Sequence, residues 1–413
     1  MKRKDKPTLL LLTSSFPRGP GDETCGYIRD FARSLSREFD VEVLAPRDSK
    51  PVEWTTNEFR LRRAWSMLPA RFDPFISDAD LSQLIDKGLF AKLGAVVSLA
   101  CFFIHAFVLA LRCDVICSQW LVPCGFIGAM ISRTTGRPHI AVEHSGAIHV
   151  LRRMRGGRGV VRFIVANSFR VITVSGDLKR KLIALCAEAA AKTRVISMGV
   201  NVTDGNFSND ISNKRPRSIL FIGRLTEIKG LDVLLKALEG RDDVALTIAG
   251  DGPLREELEA MSRELSVRAS FAGHVTAEER RALLEKCDAV VIPSRELADG
   301  RCEGTPVVCL EAMAASRLVI ASRAGGLAEV ITHGHNGLLF DSEDHGMLRG
   351  KLMMALSDDS LRERIATNGR RAIESYNWTA IGAKFIRILN DSLDNSLDNG
   401  PITHRQRRRA PAG

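Results

Sequence analysis

Residues 301–316 read RCEGTPVVCLEAMAAS, and they place two carboxylates, Glu303 and Glu311, with seven residues between them. Thr305-Pro306 between the acids is a helix-start signal, because Thr can cap a helix and Pro suits its first position. The apolar run 307–315 then predicts a helix that contains Glu311, with Glu303 on the preceding loop. Since the N-terminal end of a helix attracts phosphate, this stretch predicts an anion site with an acid on each side.

The length of 413 residues and the hydrophobic content of 45% allow two domains, each with its own core. Apolar strand-like runs alternate with helix-like segments through residues 1–200 and again through 217–376. This order is typical of α/β domains with parallel sheets, and the polar segment 199–216 predicts the linker. We expect two facing doubly wound domains, a closing helix at about 377–393 and a basic, disordered tail at 394–413. The irregular segment 51–80 predicts a variable insertion in the first domain.

The net charge of +10 is concentrated in the first domain. Residues 1–200 carry 30 Lys and Arg against 18 Asp and Glu, a net charge of +12, whereas the remainder carries 29 against 31. The densest basic run consists of Arg152, Arg153, Arg155, Arg158 and Arg162. Such a run suits a solvated surface, an anionic membrane or an anionic acceptor. Nucleic acid is disfavoured, because only Phe163 is interleaved with the arginines.

Cysteine content and hydropathy predict the location of the protein. Nine cysteines without paired spacing, and a leading run of only four leucines, predict reduced thiols in the cytoplasm rather than secretion. The apolar segment 89–111 reaches the length of a short membrane span. It contains His105 and leads directly into a predicted strand, so we expect a buried helix or one at a membrane surface. Peripheral contact with the inner face of an anionic membrane is therefore one expectation.

Two cations lie near the carboxyl end of the first strand of the second domain. Gly223 and Arg224 come directly after that predicted strand, and Lys229 precedes the following helix. Doubly wound sheets bind ligands at this edge. A guanidinium fork and an ammonium suit a diphosphate, whose negative charge grows as the bond to it breaks. Either residue alone could be a solvated loop charge. The presence of Glu303 and Glu311 in the same domain favours a role for both in binding a diphosphate.

The first domain offers two candidates at the same kind of edge. His144 follows the predicted strand 139–143 and precedes Ser-Gly, at the carboxyl end where open sheets bind ligands. Gly26 closes a glycine-containing loop between the first strand and the first helix, where the backbone can approach a phosphate. A structural histidine and a simple turn are the alternatives.

Five motifs in order extend this pattern along the second domain. They are FIGRLTEIKGLDVLLKAL (221–238), LTIAGDGPL (246–254), FAGHVTAEE (271–279), EGTPVVCLEAMA (303–314) and AGGLAEVITHGHNGLLF (324–340). Together they resemble the retaining, group 1 glycosyltransferases of family 4, which have the GT-B fold. The resemblance runs from the first strand to about Trp378 and is densest from 218 to 340.

The resemblance implies an enzyme that transfers a sugar from a nucleoside-diphosphate sugar to a glycan or lipid-linked acceptor. It implies retention at the anomeric carbon, no metal and no other cofactor, and a place in the synthesis of cell-surface polysaccharide or glycolipid. It also implies two facing Rossmann-like domains, with the acceptor bound by the N-terminal domain and the donor by the C-terminal domain. The last helix would cross back to the N-terminal domain.

Roles for single residues follow where this sequence matches the motifs. Arg224 and Lys229 would bind the donor diphosphate, and Glu311 would hold the ribose. Glu303 would contact the donor sugar near the reacting centre, and His144 would lie near the transferred sugar. The remaining donor-binding positions would be Gly223, Gly26 and Thr305.

The chain departs from the family pattern at two places. Gly304-Thr305-Pro306 stands where many relatives have a flexible pair such as Phe-Gly, and Pro306 supplies no N–H donor. Ser316-Arg317-Leu318 stands where Gly-x-Pro is common. Three other functions stay open: a sugar-nucleotide epimerase or hydrolase of the same fold, a phosphorylase, and a non-catalytic nucleotide-sugar-binding protein. The intact charged residues argue against the last, and no motif supplies the cofactor lysine of a phosphorylase.

Overall fold

The computed structural model describes residues 6–19, 22, 25–47, 54, 56–68, 89–202 and 217–399. The chain divides into two compact units. The first comprises Met1–Thr173, Lys179–Ile196 and Gly382–Gly413, and the second comprises Val174–Leu178 and Ser197–Ile381. Each contains one parallel sheet, so the predicted class of two doubly wound α/β domains is confirmed.

The first half of the chain alternates strands and helices. In order they are β1 (Thr8–Leu12), α1 (Gly26–Leu35), β2 (Asp40–Ala45), β3 (Phe59–Arg63), α2 (Leu89–Ala110), β4 (Val115–Gln119), α3 (Phe126–Thr135), β5 (His139–Glu143), α4 (Gly146–Arg153), α5 (Gly157–Ala166), β6 (Arg170–Thr173), α6 (Gly176–Leu185), α7 (Ala189–Lys192) and β7 (Thr193–Val195). The seven strands pair in the order β3-β2-β1-β4-β5-β6-β7.

The strands of the first sheet are almost continuously apolar, because helices cover both faces of the sheet. Residues 9–12 of β1 and all five residues of β4 are buried, as expected for strands covered on both faces by helices. Helix α1 directs Ile28, Phe31 and Leu35 inward at a spacing of three and four residues, which is the period of one helix face.

The second half repeats the alternation. In order it contains β8 (Arg217–Ile222), α8 (Leu231–Ala237), β9 (Val244–Ala249), α9 (Arg255–Glu264), β10 (Ala269–Gly273), α10 (Ala277–Lys286), β11 (Ala289–Ile292), α11 (Val307–Ala314), β12 (Leu318–Ser322), α12 (Leu327–Val330), β13 (Leu338–Phe340), α13 (His345–Ser357), α14 (Asp359–Ala372) and α15 (Trp378–Asn399). The strands pair in the order β10-β9-β8-β11-β12-β13.

The second sheet has an apolar core on each face. Ile219 and Phe221 of β8 belong to one buried cluster, and Leu220 between them belongs to the other. Successive side chains of a strand point to opposite faces, so the single run 218–222 supplies both cores. This places the carboxyl end of β8 in the middle of a rigid sheet.

The closing helix α15 packs on the first unit from Gly382 onward. The Phe385 ring contacts the Phe31 ring edge-on at 4.7 Å between centroids. A Cβ atom at Gly382 would lie 2.9 Å from Ser34 Cβ and Oγ, so a residue without a side chain permits this close approach to α1.

Three expectations about local structure need correction or fall outside the description. The predicted insertion at 51–80 contains the edge strand β3, whose charged side chains hid its alternation. The predicted start of the tail at 394 is wrong, because α15 continues to Asn399. The rest of the predicted tail, 400–413, lies outside the described residues. Most of the predicted linker, at 203–216, and residues 69–80 of the insertion also lie outside them.

Candidate active site

The loops after β8 and β11 lie at the carboxyl edge of the second sheet. The strand order reverses between these two strands, so this edge is the switch point where doubly wound folds bind ligands. Gly223 and Arg224 follow β8, and Ser294 follows β11. Lys229 ends a short 3₁₀ turn just before α8. The two cations predicted to bind phosphate therefore share the switch-point edge.

Glu303 is held by a lysine and a serine. Lys229 Nζ forms an ion pair with Glu303 Oε1, and the Ser294 hydroxyl donates a hydrogen bond to Oε2. The side chains of Lys229 and Glu303 are 20% and 16% exposed, so water screens this ion pair less than a surface pair. The sequence predicted separate contacts for these two residues, and the structure brings them together. Ser294 was missed, although its position after a strand was a usable signal.

Arg224 is the more accessible cation of this loop. Its side chain is exposed, and its guanidinium pairs with no residue in the part of the chain that the structure describes. The Lys229 stem packs against Gly223, where a Cβ atom would lie 3.4 Å from Cδ and Cε. In this loop the Arg224 guanidinium is therefore available to an anion, whereas the Lys229 ammonium neutralises Glu303.

A glycine pair supports the loop that carries Glu303. A Cβ atom at Gly325, whose φ is +55°, would lie 2.0 Å from the Glu303 carbonyl oxygen. At Gly326 it would lie 2.1 Å from the Gly304 carbonyl oxygen, which accepts a hydrogen bond from the Gly326 N–H at 2.6 Å. Thr305 Oγ1 donates to the Val174 carbonyl oxygen at 3.3 Å. The Glu303 loop is thus fixed by backbone contacts that only glycine allows.

Helix α11 begins at Val307, where the sequence predicted it, but the predicted cap is wrong. Pro306 is the N-cap residue in an extended conformation rather than the first helical residue, and Thr305 makes no capping hydrogen bond. The Thr305 hydroxyl bonds Val174 instead, which is the physical reason that the predicted cap is wrong. The first N–H groups of α11 lack intrahelical acceptors, as in any helix.

Glu311 lies in α11 and pairs with an arginine of α10. Arg280 Nη1 donates to both carboxylate oxygens, at 3.0 and 3.3 Å. The side chains are 22% and 24% exposed, so this carboxylate is held in place but remains reachable by solvent. Arg280 was not predicted as a site residue, because its role depends on how α10 packs beside α11.

His144 is buried in an aromatic setting in the first unit. Its Nε2 lies 2.7 Å from Gln119 Oε1, so Nε2–H donates to that oxygen. The rings of Tyr27 and Trp120 lie 5.4 and 4.9 Å from the imidazole. Burial lowers the pKa of His144 to about 3, so the ring is neutral at pH 7. Gly26 begins α1 immediately before Tyr27, so the structure links the two predicted residues of this unit.

Glu143 organises the backbone on both sides of His144. Its fully buried carboxylate accepts hydrogen bonds from the N–H groups of Leu121 at 3.0 Å, Ser145 at 3.0 Å and Ala147 at 3.2 Å. Burial raises the pKa of Glu143 to about 7, against the opposing effect of these N–H donors. Glu143, Gln119, Tyr27 and Trp120 were not predicted, although Gln119 ends a strand beside β5.

The charges at the switch-point edge suit an anion with several oxygens. Arg224 offers a fork of donors, and Lys229 lies between Glu303 and the loop backbone. Among the described residues, no group of three or more His, Cys, Asp or Glu side chains could hold a metal ion.

Comparison with known proteins defines the class of this protein. Residues 26–204 match the family model described as Glycosyltransferase Family 4, and residues 204–372 match the model described as Glycosyl transferases group 1. With its two parallel-sheet domains, the protein is therefore a glycosyltransferase with the GT-B fold. The chain belongs to the group 1 glycosyl transferases.

Three similar proteins illustrate the match. An uncharacterized glycosyltransferase of Methanocaldococcus jannaschii is 29% identical over 273 residues, or 64% of this chain and 72% of the relative. A phosphatidyl-myo-inositol mannosyltransferase of Mycobacterium leprae is 32% identical over 200 residues, or 47% of this chain and 52% of the relative. The structure of Anabaena HepE in complex with UDP aligns at a TM-score of 0.69 and 19% identity, covering 93% of this chain and all of that chain. HepE has also been solved with UDP-glucose.

Proposed function

We propose that this enzyme transfers a sugar from a nucleoside-diphosphate sugar to a glycan or lipid-linked acceptor, with retention at the anomeric carbon. The observation that carries this function is the exposed Arg224 beside the Lys229–Glu303 ion pair, at the switch point of the second sheet. The UDP and UDP-glucose complexes of HepE, a protein of the same fold, support a nucleotide-sugar donor. We place the enzyme in the cytoplasm, in the synthesis of cell-surface polysaccharide or glycolipid.

Arg224 and Lys229 stabilise the leaving diphosphate in this proposal. The acceptor hydroxyl oxygen bonds to the anomeric carbon as the bond between that carbon and the diphosphate breaks. The electron pair of the broken bond passes to the diphosphate, which also takes up the hydroxyl proton, and preorganised cations lower the energy of the developing charge. Lys229 then shares its ammonium between a phosphate oxygen and Glu303. Glu303 accepts a hydrogen bond from a hydroxyl of the donor sugar, and the Ser294 hydroxyl keeps its carboxylate oriented. Two fixed cations leave no need for a metal ion in charge neutralisation.

The other predicted residues have supporting roles in this proposal. Glu311, oriented by Arg280, accepts hydrogen bonds from the ribose hydroxyls. Gly223 and Thr305 line the backbone that approaches the donor. In the first unit, neutral His144 donates its Nε2–H to Gln119, so it accepts a hydrogen bond from a hydroxyl of the transferred sugar at Nδ1. The backbone at Gly26 approaches the phosphate.

A donor panel followed by turnover with acceptor extracts tests this function. UDP-, GDP-, ADP- and dTDP-sugars are first ranked by thermal stabilisation, since a ligand that binds the folded state raises the melting temperature. The best donor is then incubated with and without a lipid or glycan extract. We expect acceptor-dependent release of nucleoside diphosphate and an anomeric configuration in the product that matches the donor.

Other results of these two assays would indicate one of the alternative functions. Loss of the donor without acceptor indicates a hydrolase, and conversion to an isomeric nucleotide sugar indicates an epimerase. Stabilisation by a nucleotide sugar with no turnover under any acceptor condition indicates a binding protein. An inverted anomeric configuration contradicts the retaining mechanism alone.

A further inference from the structure

One face of α2 is exposed and apolar from Leu93 to the C-terminal end of the helix. Side chains exposed at intervals of three or four residues form a single stripe, which we call the α2 stripe: Leu93, Val96, Ala100, Ile104, Val108 and Leu111. The five larger members are between 47% and 62% exposed. At 1.5 Å per residue the stripe is about 27 Å long. A continuous exposed apolar surface of this size marks a surface that contacts another apolar phase.

The opposite face of α2 belongs to the core of the first unit. Phe102, Ala106 and Ala110 are buried in one cluster with Leu10 and Leu12 of β1. The segment Lys92–Ala110 is long and apolar enough to cross a membrane by length and composition, with a mean hydropathy of 2.3, yet 28% of it is buried inside the protein. A helix that contributes one face to a soluble core cannot also be surrounded by lipid. It can lie with its other face at the surface of a bilayer.

The charged residues on α2 and at the two ends of the α2 stripe are cationic. No Asp or Glu occurs from residue 89 to residue 113, and Lys92 and Arg112 are exposed at the two ends of the stripe. Arg137 reaches the Leu111 carbonyl oxygen at 3.5 Å, adding a third cation at the C-terminal end. The helix α3 packs against both α2 and α5, and α5 carries the exposed Arg158. Glu42, an acid close enough to act on His105, is paired with Arg62 at 2.8 Å. Apolar side chains flanked by basic groups, on a helix without acids, complement an anionic lipid surface.

We propose that the α2 stripe docks on an anionic bilayer, with the helix lying in the membrane surface and its flanking cations on lipid phosphates. The stripe supplies apolar burial, and Lys92 and Arg112 supply a salt-sensitive attraction. This inference concerns where the protein resides and is independent of which donor or acceptor it uses. A second copy of the chain is disfavoured as the occupant, because the cations at both ends of the stripe would face the same cations.

Vesicle co-sedimentation of the full chain tests the docking. The probes are phosphatidylcholine vesicles with and without 30–40% phosphatidylglycerol, roughly the anionic content of a strongly charged leaflet. We expect binding to anionic vesicles that weakens as salt rises. The variant Ile104→Ser/Val108→Ser should bind about tenfold more weakly, because two apolar groups no longer leave water. Met354→Ser, an exposed methionine of α13, is the matched control and should bind like the parent protein.

A fluorescence measurement keeps the test independent of folding defects in the double variant. Val108→Trp places an indole on the stripe, and Met354→Trp places one on the control surface. We expect brominated lipid to quench the first variant more than the second. Equal quenching, or no binding to anionic vesicles at low salt, overturns the docking. Binding that Ile104→Ser/Val108→Ser leaves unchanged assigns the membrane contact to the arginines alone and also overturns it. A parent dimer that this variant makes monomeric shows an interface between chains instead.

Discussion

Lys229 has two negatively charged partners in the proposed reaction, the Glu303 carboxylate and the donor diphosphate. In the structure its ammonium contacts Glu303, and Ser294 holds the other carboxylate oxygen. Losing Lys229 would therefore remove a positive charge and also leave a partly buried carboxylate without its counter-ion. Arg224 is different, because its guanidinium has no carboxylate partner among the residues described. The two cations are thus separable by mutation.

We expect Arg224→Ala and Lys229→Ala each to lower kcat/KM by about 10²-fold or more, the scale of losing one preorganised charge. Arg224→Ala should leave the melting temperature unchanged, whereas Lys229→Ala should lower it because of Glu303. Arg268→Ala is the matched control: it is exposed and lies before β10, at the opposite edge of the sheet. Steady-state kinetics with the preferred donor measure the effect. Near-normal kcat/KM in either site variant would remove that residue from the diphosphate site.

The ionisation of Glu143 makes the free energy of unfolding depend on pH. Burial raises its pKa to about 7 from an ordinary 4.5, so the folded chain binds this proton more tightly than the unfolded chain. The resulting stabilisation is fully present below about pH 4.5 and is lost as the pH rises through 7. Since one pKa unit corresponds to about 1.4 kcal/mol, the loss between pH 5 and pH 8 amounts to roughly 2–3 kcal/mol.

Glu143→Gln cannot titrate, so its unfolding free energy should change less between pH 5 and pH 8 than that of the parent protein. Between pH 5 and pH 8, the unfolding free energy of the parent protein should fall by about 2–3 kcal/mol more than that of the variant. Urea unfolding at both pH values measures this. The variant should also be less stable at pH 5, because an amide NH₂ would meet one of the three backbone donors. Equal changes with pH would show that Glu143 stays ionised in the folded protein.

The Gly325-Gly326 turn before α12 packs against the loop that carries Glu303 and holds it in place. We expect Gly325→Ala to lower both activity and stability, because its Cβ would lie 2.0 Å from the Glu303 carbonyl oxygen and would move that loop. Gly334→Ala is a matched control, with a φ of +76° and no atom within 4 Å of the new Cβ. The control should cost about 1 kcal/mol from backbone strain alone and leave kcat/KM unchanged. Equal activity in the two variants would show that the turn does not position Glu303.

Most strands and helices could be predicted from the sequence, because apolar runs and alternation report burial directly. The run 218–222 predicted β8 and, through it, the location of Arg224 and Lys229. Edge strand β3 could not be recognised, because FRLRR carries three arginines and is only half covered. Hydropathy predicted α2 but not its exposed face, because composition does not say which side of a helix packs on the sheet. The contact of Arg280 with Glu311 depends on packing between α10 and α11, which spacing does not encode.

Net charge is divided unequally between the two halves of the chain. The first 200 residues carry +12 and the remainder −2, so the half that contains the α2 stripe is the cationic one. The second half is nearly neutral, and two of its cations, Arg224 and Lys229, lie at the switch-point edge of its sheet. Long-range attraction therefore favours an anionic surface for the first half. Local, preorganised charge serves the proposed chemistry in the second half.

Metal independence is expected from this local charge. A nucleoside diphosphate leaving group has to be neutralised either by a divalent cation or by fixed cationic side chains. Arg224 and Lys229 supply two cationic groups at the switch-point edge, of which Lys229 is shared with Glu303. We therefore expect the same kcat/KM in excess EDTA as in buffer with Mg²⁺. The Arg224→Ala variant sharpens the measurement: if the side chain replaces a metal ion, added Mg²⁺ or Mn²⁺ should restore part of its lost activity. Loss of parent activity in EDTA, with recovery on adding Mn²⁺, would show instead that the reaction uses a metal ion and that the two side chains are not sufficient.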